Sequence, residues 1–215
     1  AARDAFSGVV LWKRDIPEWE DHLRGFRSGP VDITRRLVAA DGRVFVTLGY
    51  GKPVSVLDPA TGKTVKTYPG TEDTREILYA DGMLFLVAED PSGKGVVEPR
   101  EVKGRWHCIP NRARTLPEKH ITVLYAESGD VLWKKDDGET ADIMPATLAV
   151  SGDRVFFEND EAVFCLDAKT GKRVWRTERK IVTTRAAYSA PTLVVHDGVV
   201  ISADRNASQP YVKGA

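Results

Sequence analysis

The stretch Asp167-Ala168-Lys169-Thr170-Gly171-Lys172-Arg173-Val174-Trp175 decides the fold. An Asp or Thr side chain can bond nearby backbone N–H groups, and the glycine supplies the positive φ that a short reversal needs, so the segment reads as strand, tight turn, strand. Three other segments share the spelling: Asp4-Ala5-Phe6-Ser7-Gly8-Val9-Val10-Leu11-Trp12, Asp58-Pro59-Ala60-Thr61-Gly62-Lys63-Thr64-Val65-Lys66 and Tyr125-Ala126-Glu127-Ser128-Gly129-Asp130-Val131-Leu132-Trp133. A second phrase, apolar strand around an Asp-Gly turn, alternates with the first. It occurs at Asp41-Gly42, Asp81-Gly82, Ser151-Gly152-Asp153 and Asp197-Gly198.

The two phrases set a unit length. Gly42 to Gly62 is 20 positions and Gly152 to Gly171 is 19, so a pair of hairpins makes a unit of roughly 40 residues, the length of a four-stranded propeller blade. Helical periodicity is nearly absent, and short β-rich runs such as Val44-Phe45-Val46-Thr47-Leu48 and Met83-Leu84-Phe85-Leu86-Val87 are bounded by turn residues. The predicted class is all-β, a partial β-propeller of four-stranded antiparallel blades. The outer hairpin of a preceding blade is expected over 1–14, blade I over 34–68, blade II over 74–135 with an insertion at 91–119, blade III over 144–177, and the start of blade IV over 189–215. Three blades and two partial ones do not close a ring of about 4–8 blades, and an open arc leaves strand edges unpaired. The sequence therefore predicts a segment of a larger propeller, with the first and last blades incomplete.

Ala2-x-Asp4-x-x-Ser7-Gly8-x-x-x-Trp12 and Asp167-x-x-Thr170-Gly171-Lys172-x-x-Trp175 resemble the tryptophan-docking motif of the PQQ-binding-like β-propeller repeat family. The resemblance runs through nearly the whole chain by repeat spacing. Ala2-Arg3-Asp4-Ala5-Phe6-Ser7-Gly8 and Arg35-Arg36-Leu37-Val38-Ala39 also look like large multi-domain planctomycete-type members, which points to a bacterial source. The resemblance implies that Trp12, Trp133 and Trp175 are structural, each indole wedging between blades over a turn glycine, with Gly8, Gly62, Gly129 and Gly171 as those glycines. Buried aromatic surface of this kind contributes a few kcal/mol. Lys66 stands where blade I would carry its docking Trp, Tyr125 replaces the Asp in blade II, and Cys165 replaces a small Ala in blade III. Blade I is accordingly expected to be the weakest docked.

Propeller topology puts the connections entering a blade and the central loops of blades on one face. The two long links of this chain, 15–33 and 91–119, both fall there in neighbouring blades, and both far exceed the ~2–6 residues common for such links. The first carries Asp15, Glu18, Glu20, Asp21 and Asp32 against Arg24 and Arg27, a balance of −3. The second carries Lys94, Arg100, Lys103, Arg105, Arg112, Arg114 and Lys119 against Glu98, Glu101 and Glu118, a balance of +4. Opposite signs allow two readings: the links neutralise one another, or Trp19, His22, Arg105, Trp106, His107 and Arg112 form a rim that faces a protein or small-molecule partner. Aromatic and Arg side chains are over-represented at recognition sites.

Composition narrows the partners. Lys plus Arg and Asp plus Glu are each 31 in 215 residues, so no whole-molecule field draws nucleic acid or an anionic membrane. No apolar run approaches the ~20 residues of a membrane-spanning helix. Cys108 and Cys165, 57 positions apart, fit neither a disulfide framework nor a C-x-x-C pair. A long-range disulfide would need their Cα atoms within about 6 Å, and Cys165 reads better as a small core residue. His107-Cys108 lacks the spatial geometry of a nucleophile and its base. Glu158-Asn159-Asp160-Glu161 reads as a turn rather than a calcium loop. Asn206-Ala207-Ser208 matches a glycosylation sequon only by pattern, and His120 and His196 read as strand-end residues.

No catalytic or metal residues are assigned and no cofactor is predicted. By resemblance three functions stay open. One is a non-catalytic scaffold like the envelope assembly members of the family, joined to the remaining blades of its own polypeptide and exported to the periplasm or beyond. The second is part of a quinoprotein dehydrogenase carrying pyrroloquinoline quinone and calcium, and the third is a propeller accessory to a larger enzyme.

Overall fold

The computed structural model describes residues 1–16, 35–49, 51–90, 100–102, 105–107, 118–181 and 191–204. Each quoted turn folds in the same way. In the Asp167 turn, Gly171 N donates to Asp167 O at 2.9 Å and Asp167 N to Lys172 O at 2.9 Å. The Asp167 carboxylate accepts from Thr170 N at 2.9 Å and Thr170 Oγ1 at 2.8 Å. Asp58 repeats this with Thr61 N and Oγ1, both at 2.8 Å, and Asp4 with Ser7 N and Oγ, both at 2.7 Å. These bonds hold the three carboxyls below their ordinary range, the Thr or Ser hydroxyl being the leading cause. At Tyr125 the side-chain cap is lost, yet Gly129 N still donates to Tyr125 O at 2.8 Å. The backbone turn survives without the carboxylate.

These turns and the Asp-Gly reversals join the strands into sheets. Strands β3 (Leu37–Ala40), β4 (Arg43–Thr47), β5 (Val54–Leu57) and β6 (Thr64–Thr67) form one four-stranded antiparallel sheet. The second contains β7 (Thr74–Ala80), β8 (Met83–Glu89), β11 (Lys119–Tyr125) and β12 (Val131–Lys135). The third runs in chain order through β13 (Ala149–Ser151), β14 (Arg154–Glu158), β15 (Ala162–Asp167) and β16 (Arg173–Glu178). Two-stranded sheets pair β1 (Ala2–Arg3) with β2 (Val10–Trp12), β9 (Arg100–Val102) with β10 (Arg105–His107), and β17 (Thr192–His196) with β18 (Val199–Ala203). No helix occurs among the described residues, so none there is long and apolar enough to cross a membrane. The architecture is all-β, a set of antiparallel propeller blades.

Blades pack face to face. β3 meets β7, β7 meets β13, and β13 meets β17, so the first strand of each blade lies on the inner side. Phe45, Val56, Tyr68, Ile77 and Leu86 pack between the first two four-stranded sheets. Phe85, Val123, Trp133, Val155 and Phe157 pack between the second and third. Phe156, Cys165 and Leu193 join the third sheet to β17.

Aromatic side chains seal these seams against the turns. The Trp12 ring lies so close to Gly62 that a Cβ there would meet Cε3 at 2.5 Å, and its Nε1 donates to Pro59 O at 2.8 Å. Trp133 repeats the contact on Gly171, where a Cβ would meet Cε3 at 2.6 Å, with Nε1 donating to Ala168 O at 2.8 Å. Blade I is not left without a wedge at Lys66. Tyr68, two positions on and 2% exposed, lies across Gly129, where a Cβ would meet its Cδ1 at 2.9 Å. Its hydroxyl donates to Ala126 O. Lys66 Nζ donates to Glu127 O and Ser128 O beside it. Tyr68 N donates to Val54 O at 2.9 Å, extending the ladder one residue past β6, and residues two apart in an extended chain share a face, which is why Tyr68 can stand in for position 66.

Gly171 and Gly152 separate two costs. Both have positive φ, +67° and +55°, but only Gly171 has a ring against it. Alanine at either should cost about 1–2 kcal/mol for the left-handed backbone, and Gly171→Ala a further ~1–3 kcal/mol for overpacking, read as a larger midpoint shift in urea unfolding. Tyr68→Ala should cost about 3–5 kcal/mol, Tyr68→Phe about 1 kcal/mol, and Lys66→Ala no more than Tyr68→Phe; the same urea measurement ranks them.

Candidate functional site

The strand ends from which the second insertion departs carry charge inside the fold. Glu89 closes β8 and Lys119 opens β11; both are 5% exposed and they face each other in the ladder. Lys119 is thus a strand residue, not part of a solvated loop. Its Nζ donates to Ile143 O at 3.1 Å. Arg75 pairs with Glu89, its Nε donating to Oε2 at 2.7 Å, and the two side chains are 14% and 6% exposed. Glu76, 2% exposed, accepts from Arg35 Nε at 3.1 Å, and Arg35 Nη2 donates to Leu148 O at 2.7 Å. Arg35 and Glu76 also join the first strands of two blades by a parallel bridge, with Arg35 N donating to Arg75 O at 2.9 Å and Ile77 N to Arg35 O at 2.8 Å.

Arg75, Glu76, Lys119, Ile143, Met144 and Pro145 line a cavity of about 10 Å³. That is room for roughly one water, far below the ~300 Å³ of a small-molecule site. Glu76 Oε2 has no hydrogen-bond partner among the described residues. Burial pushes the Glu76 carboxyl up, and the Arg35 guanidinium opposes that shift. The arrangement neutralises buried charge and fixes strand ends rather than holding a substrate. Among the described residues no three His, Cys, Asp or Glu side chains gather as metal ligands. The reading of the sequence missed this cluster. A lone acid inside the apolar strand Thr74–Ala80 was the available signal, since a charge in a buried strand needs a partner.

Of the six rim residues expected from the sequence, Trp19, His22 and Arg112 lie outside the described residues, as do Cys108 and Asn206-Ala207-Ser208. Arg105, Trp106 and His107 form β10, which pairs with β9 as a hairpin within the insertion.

The remaining positions have structural surroundings. Gly8 turns the first hairpin at φ +72° with open space around it. Trp175 packs on Phe156, ring centroids 6.0 Å apart. Cys165 is a free thiol, 1% exposed. Asn159 Oδ1 accepts from Glu161 N and Ala162 N, both at 2.9 Å, which builds a turn at Glu158-Asn159-Asp160-Glu161. His120 is half-buried, and desolvation pulls its pKa down; His196 is exposed, 3.2 Å from Asp197.

Removing Glu76 separates the roles of this cluster. Glu76→Ala removes the carboxylate partner of Arg35 and should cost about 1.5–3 kcal/mol. Because the native Glu76 carboxyl titrates above its unfolded value of about 4.3, native protein takes up protons first, and this group's contribution to stability rises as pH falls towards that value. Glu76→Gln should abolish that gain, seen as a stability difference from wild type that changes between pH 7 and about 4.3 in urea unfolding.

Comparison with known proteins places this geometry. No curated protein sequence matches the chain. Among solved structures, the computationally designed Ika4 protein is similar at 17% identity, with 84% of this chain and 88% of that chain covered and a TM-score of 0.52, a likeness of fold. BamB from Moraxella catarrhalis is similar at 15% identity over 94% of this chain and 62% of that one, with a TM-score of 0.43. The GH43 BlXynB protein from Bacillus licheniformis is similar at 12% identity over 81% of this chain and 37% of that one, with a TM-score of 0.42. The chain thus spans less than two thirds of the length of both natural proteins. The family profile described as outer membrane protein assembly factor BamB matches residues 1–107 and 113–209, and the chain belongs to that family of PQQ-like β-propellers.

Proposed function

We propose that the chain is a non-catalytic scaffold module of an exported bacterial propeller, presenting the face that bears residues 15–33 and 91–119 to a partner protein in outer-membrane assembly. The family's description supports the setting. The observation that carries the reading is the footing of the second insertion. It leaves and re-enters blade II beside buried, mutually paired charges, with Asp90 N donating to Glu118 O at 2.8 Å and Lys119 N to Ala141 O at 3.0 Å. Long segments held on rigid elements are where binding concentrates. The insertion's excess of basic residues over acidic ones gives it a recognition chemistry of its own, apart from the neutral chain.

The test is in-cell cross-linking of the full-length protein to envelope assembly proteins, comparing wild type with Arg105→Glu combined with Arg112→Glu. The expected result is at least about tenfold weaker capture, with thermal stability held within ~0.5 kcal/mol as for ordinary surface changes. Equal capture by the double variant removes the insertion face from consideration.

A further inference from the structure

The docked rings form a series of contacts with two loose ends. Trp12 lies on Gly62, Tyr68 on Gly129 and Trp133 on Gly171, so the outer part of each blade is seated on the turn of the next. Trp175 holds the corresponding place on β16, yet it is only half-buried, packs on Phe156 of its own sheet and reaches none of the described glycines. Gly8 holds the corresponding place in the β1–β2 turn, which is built by the same carboxylate bonds from Asp4 to Ser7, and a Cβ there would meet nothing within 4 Å. One ring lacks a glycine and one glycine lacks a ring.

The strands around them are unfinished in a matching way. β17 stacks on β13 as the inner strand of a blade does, and β18 has no second neighbour among the described residues. β1–β2 carries the docking turn, as the outer pairs β5–β6, β11–β12 and β15–β16 do, and β1 likewise has no second neighbour there. Val194, Val199 and Ile201 are exposed on the face of β17–β18 turned away from the third blade, because Leu193, Val195 and Val200 take the other face. Leu37 is exposed on β3, and alternation sets it opposite Val38 and Ala40, which pack towards the second blade. The seat beside β1 and over Leu37 is thus shaped for an inner strand pair, and β17–β18 is an inner pair with a bare apolar face and a bare edge.

We propose that the occupant is a second copy of this chain: β17–β18 of one copy completes a four-stranded blade with β1–β2 of the other, and Trp175 of the first docks on Gly8 of the second. The three docked rings each donate to the carbonyl of the residue after the first position of the motif, so the acceptor for Trp175 Nε1 is Ala5 O. The exchange is mutual, and two copies share two such seams. Three four-stranded sheets in each copy and the two shared blades make eight, within the ~4–8 blades of closed propellers. The contact is head-to-tail, and its closure after two copies removes the bare edges of β1 and β18, which otherwise template wrong pairing.

Sedimentation equilibrium of the 215-residue protein should give twice the chain mass at about 50 μM, above the μM dissociation constants of weak specific interfaces. Gly8→Asn keeps the left-handed turn, which Asn tolerates, and puts a Cβ where the ring would lie. It should weaken the dimer at least about tenfold, as should Trp175→Ala, because a buried aromatic anchor dominates such a contact. Gly152→Asn, at a positive φ with open space around it and outside any docking turn, should change it less than about twofold and serves as the control for folding. An equal mixture of the Gly8→Asn and Trp175→Ala proteins should associate more tightly than either alone, since the mixed pair keeps one intact seam. A wild-type monomer at that concentration overturns the proposal and leaves the seat to another blade of a longer polypeptide. A mass that climbs past two copies, an unchanged dissociation constant for Gly8→Asn, or a mixture no tighter than its components also overturns it.

Discussion

Everything in this fold leans on one contact: an aromatic ring from one blade pressed on the turn glycine of the next, with a donor on the ring reaching a fixed carbonyl. Trp12 reaches Pro59 O, Trp133 reaches Ala168 O and Tyr68 reaches Ala126 O. In each turn that carbonyl belongs to the residue after the first position of the motif. The glycine serves two ends at once. It supplies the left-handed backbone the reversal needs, and its missing Cβ leaves the floor on which the ring lies. A side chain there loses both, so the turn and the seam between blades are a single constraint.

The exchange at blade I shows which part of the constraint is fixed. Lys66 has no ring, but it sits two residues before Tyr68 on an outer strand, and strand alternation sends both to the same side. Tyr68 supplies the buried ring and the polar handle, and Lys66 adds donors to the neighbouring carbonyls of Glu127 and Ser128. What the seam requires is ring area and a donor at the carbonyl. Which of two same-side positions provides them is open, because buried area is non-directional.

Much of this architecture was legible from residues alone, because hairpin chemistry is local. Asp-Gly and Asp-x-x-Thr-Gly encode their turns within five residues, and their alternation counts out the blades. Tyr68 was harder to see because the motif fixes a position, whereas packing fixes a face. The Arg35, Arg75, Glu76, Glu89 and Lys119 cluster was harder still: four members lie on three strands of one sheet far apart in sequence, and Arg35 reaches Glu76 only when the neighbouring blade docks. The insertion gave its charge balance in the sequence but not the β9–β10 pairing inside it, which depends on the two short strands finding one another.

The charged strand ends and the insertion are parts of one problem. Closing a flexible link costs about (3/2)RT ln n, so each doubling of length adds only about 0.6 kcal/mol. What a long insertion threatens is the pairing of the strands it separates. In blade II the threatened pair is Glu89 and Lys119, and each is held by a partner outside the hairpin, Glu89 by Arg75 and Lys119 by Ile143 O. A buried ion pair adds little net stability over an apolar pair of equal volume, but it penalises a slipped register heavily, because a slip leaves charges buried and unpaired. The ladder from Lys119–Glu89 to Tyr125–Met83 is thus fixed at its open end by electrostatic specificity and along its length by apolar packing. With both ends set, the sequence of the insertion can change without disturbing the blade, which is the condition a surface needs if it is to be shaped by its partner rather than by the fold.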